Sequence, residues 1–471
     1  MNTGLFNDDV LQQIVEQIVV PNLMATENDE ELFEDNPLDY IVKDIEGSDQ
    51  DTRRRCAGEL VRGLLKFFSE KTTALCVSYI DGMLKQYEST GCRDWRAKDG
   101  ALHLVLAAAV MSSNAAQGAA TLNPNVNILE IFNVHVLPEL HDSDVNARPI
   151  VKADAIKLIC TFRSHFPAPF LLELLPHLVR HLSSEYIVVQ TYAAFCVEKF
   201  LTVKDAPTNS GGDGAASNVL ILSTTPGNLR LGKGAITPLM GPLFSALFPV
   251  LQNEDLPEND YVMKCVMRVL SIVGSDVAPV MEDVLEQLTA TLERVCRNPS
   301  NPHFNHYIFE CIALLVRSAC SPSSTAGPSP DSFEKFEGLL FPPFQSILQL
   351  DVVEFVPYVF QILGQLLSYR PAGGGLSAAY SDLFPPLLSP VLWLRRGNVP
   401  ALTDLVLAYI YQGMGEIVEK GLLEGVLGVF QKLLASKATE VYAFKLINAV
   451  VRKCPADVMD GYMPMVFQLL L

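Results

Sequence analysis

Two histidine pairs and one lysine are the residues of this chain whose spacing could do chemistry. His177 and His181 stand one helical turn apart, with Glu185 four residues further on. Two imidazoles at that spacing share a helix face and could hold zinc, with the carboxylate as a third ligand. A zinc protease would carry its general-base glutamate directly after the first histidine. Leu178 stands there instead, in step with an apolar stripe, so a pair on a polar helix face is the better reading. His303 and His306 lie in NPHFNHYIFE, with Cys311 downstream. Tetrahedral zinc needs a fourth donor that the sequence does not supply, and a role at a helix start is favoured. Gly227, Gly232 and Lys233 read G-x-x-x-x-G-K, the spacing of a phosphate-cradling loop. Such a loop needs Ser or Thr after the lysine to hold magnesium, and a parallel sheet behind it. Gly234 follows here, and no strand series does. With no G-x-S-x-G elbow and no catalytic carboxylate set, the residues point away from an enzyme, a cofactor or a metal.

The largest concentration of charge lies at 27–55, ENDEELFEDNPLDYIVKDIEGSDQDTRRR. Glu27, Asp29, Glu30, Glu31, Glu34, Asp35 and Asp39 crowd its first half, and Arg53, Arg54 and Arg55 close it. It reads as an acidic insertion loop over 27–51, too acidic and too poor in apolar spacing for a core element. Two readings stand side by side: a solvated loop, as most charge runs are, or a surface that attracts a basic partner.

Helical patterns flank this stretch. Residues 10–24 place Val10, Ile14, Ile18 and Leu23 on one apolar face, with Pro21 as a kink. Residues 51–68 place Cys56, Leu60, Leu64 and Phe68 at four-residue steps, backed by Ala57, Val61 and Leu65. Ser48, three residues before Asp51, reads as a capping box for that helix. Helical stretches then recur in pairs, with polar breaks such as 112–125 between them. In each pair a proline near the end of the first helix precedes a short acidic turn, then a helix with a basic residue and an alanine. Pro138, Asp144, Lys152 and Ala155 show the pattern; Pro176, Glu185 and Ala193 repeat it, with Gln190 where a base is expected. Pro138 and Pro176 are 38 residues apart, and Pro342 and Pro385 are 43 apart. Those spacings lie near the ~40–47 residues of HEAT-type repeats. A hairpin of this kind exposes an apolar face that only its neighbours cover, so the expectation is an all-α, α-α superhelix (solenoid) of helical hairpins over 1–471. A Gly/Ser-rich insertion at 204–236 and a short loop at 321–331 interrupt it.

Net charge is −18 over 471 residues, with a pI near 4.9, which disfavours nucleic acid and anionic membrane surfaces as partners. The ten cysteines are scattered singly, without a C-x-x-C pair, which fits a reducing intracellular setting. The longest apolar run, near 102–111, contains His103 and falls short of the ~20 residues of a membrane span. The N-terminus has no basic region followed by an apolar block, so no secretory signal is expected.

At this point particular stretches carry a resemblance. EDNPLDYIVKDIEGSDQDTRRR, followed by AGELVRGLLKFF, resembles the acidic insertion and following helix of the CAS-type exportins of the importin-β superfamily. VKADAIKLICTFRSHFP, IVVQTYAA, NPSNPHFNHYIFE, DVVEFVPYVFQIL, PVLWLRRGNVPAL and GVFQKLLASKA match in the same order, from about Leu11 onward. The resemblance implies a HEAT solenoid that binds importin-α together with Ran-GTP and returns importin-α from nucleus to cytoplasm, shuttling between the two without catalysis. It marks as partner-binding candidates the seven acids and three arginines of 27–55, and, in the matching stretches, Asn305, His306, Glu310, Arg395 and Arg396. It also implies that the N-terminal repeats making the family's principal Ran contacts are absent, as are the C-terminal ones, and that the 204–236 insertion inherits no role. A HEAT scaffold for protein assembly, without transport, is the alternative.

Overall fold

The computed structural model describes residues 7–46, 52–205, 229–322, 330–371 and 375–470. They form two compact units, divided at residues 272 and 273. In the first, Arg53–Ser89 packs on Trp95–Ala109, the run from Ile128 to His141 on Pro149–Phe162, and Ala168–His181 on Ile187–Phe200. Met240–Gln252 and Asp260–Val273 follow. Second helices stack on second helices, so Pro149–Phe162 lies between Trp95–Ala109 and Ile187–Phe200. The second unit repeats the plan: Pro302–Cys320, Val356–Tyr369, Val399–Glu419 and Glu440–Lys453 form one stacked layer. Gly364 sits where a side chain would press on the Leu405 backbone, which lets two of these helices approach closely. The fold is the expected all-α repeat stack.

The repeat pattern has a physical basis here. Prolines fall inside the first helices at Pro176, Pro249, Pro342, Pro343, Pro385 and Pro386, where each removes a backbone donor and bends the helix. Ahead of Pro21 and Pro138 the chain widens into π turns at Val15–Val19 and Phe132–Val136, which relieve the proline's clash with the preceding turn. The acidic turn and the basic residue staple one hairpin together. Lys152 is fully buried and donates to the Glu139 carbonyl oxygen and to Asp142, both at 3.2 Å. Arg148 pairs with the same Glu139 and Asp142 at 3.1 Å. Gln190 fills the equivalent place by donating to the Ser184 carbonyl at 2.5 Å, a neutral substitute for the base.

Five features differ from the sequence reading. First, 27–46 is not a loop: Thr26 and Asp29 form a capping box that opens Glu27–Asp35, then Pro37–Ile41 and a π turn at Val42–Glu46 follow, and Phe33, Tyr40 and Ile41 are buried. Residues 47–51, with Ser48, lie outside the described residues; the cap on Arg53–Ser89 is Thr52, which accepts from the Arg55 amide at 3.2 Å. Second, Arg53–Ser89 continues across a kink at Phe68, and Ala57, Val61, Leu64 and Leu65 are its buried face, with Cys56 and Leu60 exposed. Third, the buried face near the start is Leu11, Val15, Val19 and Leu23, and Ile18 is exposed. Fourth, Val110–Asn114 and Gly118–Leu122 form an antiparallel hairpin within the stretch read as a polar break. Its Ser- and Ala-rich strands lack apolar alternation, and Arg163 holds its turn by donating to the Ala115 and Ala116 carbonyls at 2.8 and 3.0 Å. Gly118 has a φ of 75° and faces the Thr161 carbonyl, where no side chain fits. Fifth, Lys233–Gln252 spans 20 residues at mean hydropathy 1.5 and is, among the described residues, long and apolar enough to cross a membrane by length and composition. Leu243, Phe244, Leu247 and Phe248 are buried within the protein, as in a core helix. Residues 206–228 and 323–329 of the two interruptions, and with them Gly227, lie outside the described residues; Gly232 caps Lys233–Ile236.

Candidate partner-binding site

The acids of the N-terminal segment separate into two groups by what they touch. Asp29 caps its own helix and pairs with Arg53 at 2.8 Å, while Arg53 also donates to the Pro21 and Met24 carbonyls. Burial alone would raise the Asp29 carboxyl; hydrogen bonds from Thr26 and the charges of Arg54 and Arg53 hold it below the usual range. Glu30 pairs with Arg96. Phe33 packs edge-on to Tyr40 at 5.2 Å and against Tyr186 at 6.0 Å, which seats the segment on the stacked helices. Glu27, Glu31, Glu34 and Asp35 remain exposed on the outside of Glu27–Asp35, and Asp39, also exposed, accepts from Asn36 at 3.0 Å. The sequence-derived acids thus divide into a docking set and a presented row.

Behind the segment lies a buried charge network. Arg54 grips Asp99 with two bonds of 2.7 and 2.8 Å, and Asp99 also accepts from the Ala25 amide at 2.7 Å. His103 donates from Nδ1 to the Asp99 carbonyl at 3.1 Å, which leaves Nε2 to accept from Arg54 at 3.2 Å. Burial, then the Arg54 charge, holds this imidazole down at about 4, so it is neutral at physiological pH. Burial, then Asp99, pushes the Asp154 carboxyl well up. Asp44 closes the network by taking Lys157 at 2.5 Å and the Tyr192 hydroxyl; against the cost of burial, these hold it ionised. The donor atoms of Asp99, His103 and Asp154 lie within 4.8 Å of one another. A divalent cation does not fit among them, because the Arg54 guanidinium already occupies the cationic place. Arg54 is therefore a buried anchor and not a presented residue. Arg55 is exposed beside it.

The network forms one wall of an open cavity of about 740 Å³ in the first unit. Lys43, Arg54, Arg55, Arg62, Lys157, Arg163, Lys199 and Lys264 are among the residues that line it. Asp44 and Glu59 are the carboxylates among its lining residues. A basic cavity in a chain of net charge −18 was not read from the sequence, because the bases come singly from separate helices. The available signal was one lysine on each of three successive second helices: Lys157, Lys199 and Lys264.

The remaining five partner-binding candidates belong to the second unit. In the second unit, Asn305 is buried, His306 makes a 3.2 Å contact from Nδ1 to the Tyr358 hydroxyl, and Glu310 is half-buried. Arg395 forms a two-bond pair with Asp351 at 2.5 Å, and Arg396 is exposed. The histidines read as a pair on a polar helix face do not both lie there: His181 is fully buried with Nδ1 on the His177 carbonyl oxygen at 2.7 Å, and His177 packs against His141.

Stacked helix pairs, with a docked acidic segment and a basic cavity behind it in the first unit, define an α-helical repeat protein. Comparison with known proteins places it more closely. The Cse1 profile matches residues 2–197, and that of the CAS/CSE protein C-terminus matches residues 217–471. The chain belongs to the CAS/CSE family. It is 40% identical to exportin-2 of Homo sapiens over 471 residues and to that of Danio rerio over 469. Each alignment takes 99% of this chain and 46% of the relative, so the chain spans about half the length of the curated relatives it matches. The solved structure of the exportin Cse1 in its cargo-free, cytoplasmic state superposes with a TM-score of 0.79 at 29% identity, over 98% of this chain and 45% of that one. Importin beta in an ammonium sulfate condition superposes at 0.51 with 11% identity, over 99% of this chain and 55% of that one, a likeness of fold alone.

Proposed function

We propose that this chain acts as part of a nuclear export receptor: it binds importin-α together with Ran-GTP, releases importin-α in the cytoplasm, shuttles between the two compartments and performs no catalysis. The observation that carries the reading is the 40% identity to exportin-2 across 99% of the chain. Surface chemistry supports it. The row Glu27, Glu31, Glu34 and Asp35 stands on a helix fixed by Asp29, Glu30 and Phe33, so its field has a set direction. Such a row speeds and orients the approach of a basic segment on a partner more than it adds affinity. Among the remaining candidates, Asp39, Arg55, Glu310 and Arg396 are placed for contact. Asp29, Arg53, Arg54, Asn305 and Arg395 serve by holding the surface in shape. The test is capture of purified importin-α on immobilised chain, with Ran carrying either a non-hydrolysable GTP analogue or GDP. Retention that rises only with the GTP form is the expected result. Retention indifferent to the nucleotide would point to an assembly scaffold, which has no reason to sense it.

A further inference from the structure

We propose that the basic cavity of the first unit is a docking site for an acidic peptide segment, rich in Asp or Glu, on a partner protein. This goes beyond the transport reading, which uses the oppositely charged face of the N-terminal segment. Its cations come from separate elements: Lys43 from the π turn, Lys157 and Lys199 from successive second helices, Lys264 from Asp260–Val273. Packed helices lie ~8–10 Å apart, and an extended chain advances ~3.3 Å per residue. A strand of peptide crossing the stack therefore meets a new cation about every three residues. The lining cations contribute in different ways. Arg163 is 4% exposed and hydrogen-bonds to three backbone carbonyls and not to a carboxylate, so it adds positive field behind the wall and makes no direct contact. Lys157 spends one of three donors on Asp44. Lys199 is held over the Phe195 ring at 4.9 Å and pairs with Glu198 at 3.1 Å, which fixes its position at the wall. A single phosphate would fill little of about 740 Å³. A nucleic acid needs phosphate contacts along its length, and a chain of net charge −18 repels it outside the cavity. A short acidic peptide is the anion that the observations favour.

The test uses the whole chain and a fluorescent oligoglutamate peptide, with oligothymidylate of equal charge and inorganic phosphate as competitors. Oligoglutamate is expected to bind with an affinity that falls as salt rises. Replacing Lys43, Lys199 and Lys264 together by Gln should weaken it roughly tenfold, and replacing the same three by Arg should keep it. The proposal is overturned if the Gln variant binds like the parent or the Arg variant fails like the Gln one. Tighter binding of oligothymidylate, or displacement by phosphate at the peptide's own concentration, would equally overturn it.

Discussion

Arg54 joins two requirements that a single side chain seldom meets. Its fork satisfies Asp99, a carboxylate with a fully buried side chain, and its charge adds to burial in keeping His103 neutral while its Nη1 donates to the ring. Removing one partner of a buried pair leaves the other charged and unsolvated, a cost of about 3–5 kcal/mol. Arg54→Ala should therefore unfold the first unit at markedly lower denaturant than the parent, whereas Arg55→Ala, on the exposed neighbour, should shift the midpoint little. Chemical denaturation followed by circular dichroism compares them. The same cluster sets a pH dependence. His103 titrates at about 4 in the folded chain against 6.5 ordinarily, so between those values the unfolded chain takes up a proton that the folded chain does not. The His103 contribution to stability then falls as pH drops from about 6.5 to about 4 and levels off below. His181, held at about 4 mainly by burial, adds a second contribution in the same window. His103→Gln should remove its share of the slope, up to roughly 3 kcal/mol, in denaturation midpoints measured across that range. An unchanged slope would show that burial and the Arg54 charge do not hold the imidazole neutral.

At the scale of the element, the segment from Glu27 to Glu46 is where sequence and structure part most. Its acids outnumber its apolar residues, and although Phe33, Tyr40 and Ile41 stand at i, i+7 and i+8, the i+3 and i+4 positions that would complete a helical stripe are Asn36 and Pro37, where one short helix ends and the next begins. Thr26 with Asp29 marks a helix start inside the stretch read as a loop, and the helix Arg53–Ser89 that follows is capped by Thr52. The N-terminal face was misread by one position for a related reason. Two apolar stripes run side by side there, and tertiary packing chooses Leu11, Val15 and Val19. Phe33→Ala should cost about 3–5 kcal/mol at this docking site. Hydrogen exchange should then quicken across 27–45 and stay slow in Pro149–Phe162, since repeat stacks lose structure locally. The presented row makes a different prediction. Replacing Glu27, Glu31, Glu34 and Asp35 by Gln or Asn should slow association with importin-α and flatten its salt dependence, at about 1–3 kcal/mol in all, with helicity unchanged. Stopped-flow association rates at two salt concentrations decide it; unchanged rates would make the row a solvated face and no more.

For the molecule as a whole, the repeat architecture was legible because it is written many times over. Hairpin after hairpin restates the apolar periodicity, and several repeat the proline within the first helix, so an error in one hairpin does not disturb the reading of the next. What was not legible lay where a single event decides the structure. Arg163 pinning a Ser- and Ala-rich hairpin is one such event. Another is the gathering of solitary lysines from separate helices at one cavity. Net charge described the chain correctly and its surfaces poorly, because −18 conceals a basic interior wall. The central claim is that this chain couples importin-α to the GTP-bound form of Ran, and coupling has a signature that simple binding lacks. If the two partners share one bound state, each must raise the affinity of the other by the same factor. The direct measurement is the affinity of the chain for importin-α with and without Ran carrying a non-hydrolysable GTP analogue, then for that Ran with and without importin-α. Equal enhancement in both directions, absent with Ran·GDP, is the expected result. Independent binding of the two partners, or equal enhancement by Ran·GDP, would contradict it.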